Sequence, residues 1–276
     1  VQGVEILKGD AELFRIMTTD EIFWPNYPAV YGISDVAGYD LPVAFRYSDL
    51  YLAQGGVQDH RQVWDPSWPL LDYLNTRYVV TSQELEPDRF VLIHSTEEYR
   101  IYENRYALPR ALMVYDVAVI EDQATMLERV LGEEWDPVKT ALLEEPLPSY
   151  ELDALGSESS FSIDTVRYDN DIVVLDLFTE GAGLLVMSDL YSRDWQAQVD
   201  AERVKLYRAN YAYRAVFVPE GRHQITFSYV PWSFPVGMGL TFLGLIVAGL
   251  LILARKRTPS QRSCSARPAG GEREDA

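Results

Sequence analysis

The chain has 276 residues, 47% of them hydrophobic, enough to bury one large core or two modest ones. Its formal net charge of −18, with no basic cluster before Arg255, excludes nucleic acid as a partner of the main body. The single cysteine, Cys264, excludes an internal disulfide, and it reads as a solvated residue of a basic tail, with juxtamembrane lipidation as the other reading.

In chain order, "VEILKG" (4–9) and "ELFRIMT" (12–18) read as opening strands. A turn-rich, aromatic passage follows from Asp20 to Asp65, too apolar for a linker, with Trp24, Tyr27, Tyr31, Tyr39, Phe45, Tyr47 and Tyr51 expected to pack a looped layer on a core. "SWPLLDYLN" predicts a short helix capped by Ser67, with Pro69 in its first turn and Leu70, Leu71 and Leu74 on one side. "TRYVVTS" predicts a strand, "RFVLIH" and "YRIYEN" a hairpin, and "RALMVYDVAVI" one further strand. Asp122 is placed to cap a helix whose Ala124, Leu127 and Leu131 share a face, and "VKTALLE" returns as a strand. The aperiodic stretch 144–160, rich in Pro, Gly, Ser and acids, is the expected boundary between an α+β part, 1–150, and a second, all-β part.

Residues 151–231 predict a β-sandwich. Seven short runs, from "FSIDTVRYD" to "RHQITFSYV", are separated by turn residues such as Asp169-Asn170, Asp200-Ala201 and Glu220-Gly221. The class is therefore mainly β with a few short helices, followed by one transmembrane α-helix at 232–254. From Val236 to Ala254 no residue is charged. Nineteen residues span roughly 28 Å as a helix, close to a hydrocarbon core of about 30 Å; a buried core helix would carry a polar stripe or stop sooner. Trp232 and Phe234 stand where an aromatic belt meets headgroups, and Arg255, Lys256 and Arg257 follow at once, completing the expected membrane interface. Pro231 and Pro235 end the last strand and stiffen a short connection, which should restrict the orientation of the sandwich.

Charge sets the expected orientation. The tail 255–276 has six Lys or Arg against three acids, net +3, and the rest of the chain is net −21. That asymmetry places the disordered basic tail in the cytoplasm and the preceding body outside, at a plasma membrane. The chain begins at Val1 and has no apolar stretch near its start, so it is expected to be the C-terminal piece of a polytopic protein, its partners being the lipid bilayer and upstream transmembrane helices.

The segment "GLLVMSDLYSRDWQAQVDAERVKLYRANYAYRAVFVPEGRHQITFSYVPWSF" (183–234) resembles the C-terminal end of the YfhO family of polytopic membrane proteins. "LLDYLNTRYVVTS", "YRIYENRYALPRALMVYDV" and "EEWDPVKTALLEE" are similar to stretches preceding that end. The resemblance implies a GT-C-like glycosyltransferase acting on polyprenyl-linked sugar and envelope glycan. It implies too that the catalytic acid lies in an early outer loop absent from this sequence, so no catalytic, cofactor or metal residue is assigned. The implied role of this part is a lid or acceptor-contacting domain. Two turns depart from the family pattern, with Asp194 before Trp195 and Ala201 after Asp200 where glycine is usual.

Rival chemistries are thin. Asp35, Asp40 and Asp49 could be imagined as a glycosidase set, but 42 acids make such sets easy to find. His60, His94 and His223 lack metal-ligand spacing. The alternative class is a non-enzymatic, membrane-anchored glycan-binding or structural domain. For either class Trp195, Tyr191 and Tyr211 are the candidate glycan contacts, with Tyr207 and Tyr213 crowding the same region.

Overall fold

The computed structural model describes residues 2–19, 22, 27–36, 44–53, 65–132 and 134–257. The chain opens on a helix, α1 (Gln2–Lys8), where the sequence pattern predicts a strand. Val4 and Leu7, three residues apart, are both buried while Glu5 and Lys8 are exposed, so the segment has a helical period. The Gly9 N–H closes it on Glu5 O at 3.2 Å.

Then come β1 (Arg15–Thr18), the single turn α2 (Tyr27–Val30), β2 (Ser34–Asp35), α3 (Phe45–Ala53), α4 (Leu70–Tyr73), β3 (Thr76–Thr81), β4 (Phe90–Ser95) and β5 (Arg100–Asn104). These strands form a sheet in the order β2-β1-β3-β5-β4, parallel across β2, β1 and β3 and antiparallel beyond. The predicted β4–β5 hairpin is present. Alternation along β3 divides its faces: Tyr78 and Val80 pack with Val4 and Leu7 of α1, while Val79 packs with Phe90 and Tyr102. Ser67 does not cap α4, because Asp65 takes both its N–H and its hydroxyl; Pro69 occupies the cap position without a side-chain bond.

The run predicted as one strand is two, β6 (Ala111–Val114) and β7 (Asp116–Val119), separated by Tyr115. Asp122 does cap α5 (Gln123–Leu131), accepting from Thr125 N at 2.8 Å, but the buried face is Met126 and Val130, with Ala124 exposed. β8 (Thr140–Leu143), α6 (Ser149–Leu152), β9 (Phe161–Tyr168), β10 (Ile172–Thr179), β11 (Gly183–Leu190), β12 (Trp195–Val199), β13 (Glu202–Val204), β14 (Tyr207–Ala209), β15 (Tyr213–Val218) and β16 (Gly221–Tyr229) complete the β body.

One sheet runs β13-β12-β16-β10-β9 and another β6-β11-β15-β14-β8-β7. The second cannot be flat. Its edge strands β6 and β7 are separated by one residue, whereas six flat strands would set their edges roughly 24 Å apart and two chain steps reach at most about 7 Å. The sheet therefore curls until its edges meet. Leu112, Val114, Leu143, Leu184, Val186 and Ala215 fill the inside of the curl. On the outside, Met113, Leu185, Met187, Val216 and Val218 meet Val173, Leu175, Leu177, Ile225 and Phe227 of the other sheet, which gives a sandwich. Ladder bonds cross residue 150, since β6 pairs with β11 and β8 with β14. Val1–Val230 is one compact unit.

The second unit carries α7 (Ser233–Arg257). Its stretch Ser233–Leu253 is long and apolar enough to cross a membrane, and Leu240, Phe242 and Leu251 are each at least 60% exposed.

The β12–β13 hairpin turns on two residues, Asp200 at φ 52° and Ala201 at φ 69°. Both lie in the left-handed region, as a type I′ turn demands, so Ala201 holds a conformation that glycine adopts without strain. Asp194 is not among the positive-φ residues, so only the second of the two departures from the family pattern carries strain. Replacing Ala201→Gly should raise unfolding free energy by about 0.5–1 kcal/mol in denaturant titrations; a loss of stability would contradict the turn assignment.

Candidate functional site

Alternation on β11 and β15 turns Leu185 and Met187, and Val216 and Val218, toward the sandwich core. The same parity carries Asp189 and Arg214 inward at one end of that core. Asp189 is 8% exposed and Arg214 2%. Arg214 Nη2 donates to Asp189 Oδ2 at 2.9 Å, and its guanidinium lies 4.0 Å from the Trp195 ring and 4.9 Å from that of Phe227.

Two more guanidiniums reach the same carboxylate. Arg15, at the start of β1, donates to Asp189 Oδ1 at 2.9 Å, Ser188 O at 2.8 Å, Ser188 Oγ at 3.2 Å and Leu74 O at 2.7 Å. Arg110, next to β6, stands 3.4 Å from Asp189 Oδ1 and 3.4 Å from Phe14 O. The Tyr168 hydroxyl, at the end of β9, is shared between the two carboxylate oxygens at 2.8 and 2.9 Å.

Burial pushes the Asp189 pKa up, but Arg15, Arg214 and Arg110, aided by Tyr168, outweigh it and hold the carboxyl below the usual range. The opposite pressure falls on Arg110. Burial, with Arg15 and Arg214 beside it, brings its pKa down to about 10 despite Tyr168 and Asp189. Tyr168 is pushed up to about 12, by burial first and then by Asp189. Three guanidiniums around one carboxylate leave roughly two positive charges uncompensated in a place nearly closed to water.

Of the predicted glycan contacts, Trp195 and Tyr191 are half-buried. Trp195 faces Arg214 and stands 5.4 Å from the Tyr229 ring, and Tyr191 lies 4.5 Å from the Arg208 guanidinium. Tyr211 leaves the set. It is 1% exposed, sits in the β14–β15 turn at φ 75° rather than on a strand, donates to Asp49 at 2.5 Å and has Arg46 over its ring. Its ring face is committed to the core. Tyr207 and Tyr213 are likewise buried.

Asp49 serves Tyr211 and Asp35 accepts from Thr18, so the imagined acid set is divided among separate contacts, with Asp40 outside the described residues. His223 contacts Asp200 at 2.6 Å and His94 lies 5.9 Å from the Tyr99 ring; His60, Trp24, Tyr39 and Cys264 fall outside the described residues. Trp232, just before α7, and Phe234, in its first turn, are 71% and 70% exposed, and the last turn of α7 contains Arg255, Lys256 and Arg257. Sequence reasoning missed the ion cluster. Its signal was an acid and a base, each at the inward parity of a strand whose other inward residues are apolar.

Residues 153–241 match the family model described as bacterial membrane protein YfhO. No curated protein and no solved structure matches the chain. The matched stretch runs from β9 through β16 into α7 and contains the 183–234 segment, while the earlier resembling segments lie outside it. It is thus similar to part of a bacterial membrane protein, in keeping with the apolar α7.

Asp189→Asn removes the one negative charge from this group and should lower unfolding free energy at pH 7 by about 3–5 kcal/mol. Because the folded pKa of Asp189 is depressed, its contribution is complete above the unfolded value of about 3.9 and is lost as pH falls through the lower folded value. The gap between wild type and variant in denaturant titrations should therefore close below about pH 4; a gap independent of pH would contradict the ionised hub.

Proposed function

We propose that this chain is the outer, C-terminal part of a multi-span membrane transferase that uses a lipid-linked sugar to modify envelope glycan. In this reading the β body lies on the extracytoplasmic side as a lid or acceptor contact, and the residues after α7 lie in the cytoplasm. The observation that carries the reading is the family match itself, which continues without interruption from the last strands of the sandwich into an apolar helix.

Charge supports the orientation, since six of the basic residues follow the span while the body is strongly acidic. Chain connectivity supports a lid over a reaching receptor. Val230 N is still bonded to Asp194 O, and Pro231 and Trp232 alone separate it from the first residue of α7. Trp195 and Tyr191, which keep partial exposure, are the residues proposed to meet a sugar ring.

The sole cysteine offers a direct test of the orientation. With Val166→Cys introduced at an exposed position of β9, a membrane-impermeant maleimide should label residue 166 in intact cells and Cys264 only after permeabilisation. The reverse pattern would overturn the orientation. Inserting about ten Gly/Ser residues after Val230 should lower transfer by the full-length protein, and unchanged transfer would count against the lid.

A further inference from the structure

The last residues of the sandwich lie close to lipid whenever α7 spans a bilayer. Ser233 opens the stretch that is long and apolar enough to cross. Three chain steps from Val230 to Ser233 reach at most about 11 Å. A headgroup layer is roughly 5–8 Å deep on each side of the hydrocarbon core, so Val230 is held within or just above the headgroups.

Two loops are bonded to these last residues. The Tyr229 N–H donates to Asp171 O and the Val230 N–H to Asp194 O, each at 2.8 Å. Asp171 belongs to the β9–β10 turn, which the Asp169 N–H closes on Ile172 O at 2.8 Å. Asp194 ends the short run that leads from β11 to Trp195, itself paired with Tyr229. The end of the body that carries residues 169–171, 190–194 and 229–230 is therefore carried to the membrane with the tether.

The surface chemistry of this end suits lipid. Leu190, Tyr229 and Val230 are 36%, 39% and 50% exposed, and the Tyr229 ring stands 5.4 Å from that of Trp195, an aliphatic and aromatic set of the kind that membrane interfaces favour. Charge agrees. The body as a whole has a large excess of acids, but here Arg167 and Arg193 stand against Asp169, Asp171 and Asp194, with Arg167 paired to Asp169 at 2.5 Å. Tyr168 and Asp189 adjoin these loops in sequence, so the roughly two uncompensated positive charges of the ion cluster lie directly behind them. The end nearest phosphate-bearing headgroups is thus the one relieved of the body's negative charge.

We propose that this end is a membrane-contact surface: Leu190, Tyr229 and Val230 enter the phospholipid headgroup layer, and the sandwich rests on the bilayer through both loops as well as through its tether. The inference rests on the reading of α7 as a span.

The test uses the full chain in phosphatidylcholine nanodiscs, with Cys264→Ser and one bimane-labelled cysteine at a time. Asn170→Cys and Arg193→Cys mark the contact surface and Phe242→Cys the span. Glu180→Cys marks the other end of β10, whose eight residues extend roughly 25 Å. With a nitroxide on the lipid headgroup, labels at 170 and 193 should lose about half their emission or more, and the label at 180 less than about a tenth. With a nitroxide midway along the acyl chain, the label at 242 should be quenched. Leu190→Ser combined with Val230→Ser, both at exposed positions, should cut the headgroup quenching at 170 and 193 at least about twofold. Labels at 170 and 193 as bright as the label at 180, or quenching unchanged in the double variant, overturn the contact surface and, with 242 quenched, leave the span standing. An unquenched label at 242 overturns the span and this inference with it.

Discussion

The carboxylate of Asp189 accepts from Arg15, Arg110, Arg214 and Tyr168, side chains that enter from the first sheet, the approach to the curled sheet, the curled sheet itself and the outer sheet. Withdrawing such charges from water costs several kcal/mol each, and their mutual attraction offsets that only when the geometry is right. Any slip of one sheet against another would strand a guanidinium without its acceptor. The cluster therefore acts less as a source of stability than as a constraint on register at the place where the sheets meet. The apolar contacts within the curl and between the sandwich layers supply the non-directional part of the driving force.

That constraint also divides the charge of the molecule. Because one acid cannot neutralise three bases, the protein keeps a positive interior while its surface is strongly acidic.

Much of the fold was legible because alternation is a local signal: "DIVVLDLFTE", "YAYRAVFVPE" and "RHQITFSYV" each became a strand, and the charge-free run became an apolar helix. Where several structures share one pattern, the reading failed. "VEILKG" has too few residues to separate a period of two from one of three and a half, and the buried pair Val4 and Leu7 decided for helix. "RALMVYDVAVI" is apolar but for Arg110 and Asp116 and holds no glycine or proline to mark a break, yet the curl of the sheet sends its two halves to opposite edges at Tyr115, a tertiary event that no local pattern records. Tyr211 reads as a strand residue because its turn holds Asn210 and Tyr211 at positive φ without any glycine. The candidate site was less legible than the fold, since the contacts of Asp189 span as many as 174 positions in sequence.

The central claim is that the Asp189 cluster binds the three sheets into one cooperative body. Native-state hydrogen exchange on the wild-type chain measures this most directly. The account predicts that the slowest amides of β3 and β5, in the sheet tied on through Arg15, open with the same free energy as those of β10 and β16. A first sheet that opens separately, at a clearly lower free energy, would contradict it.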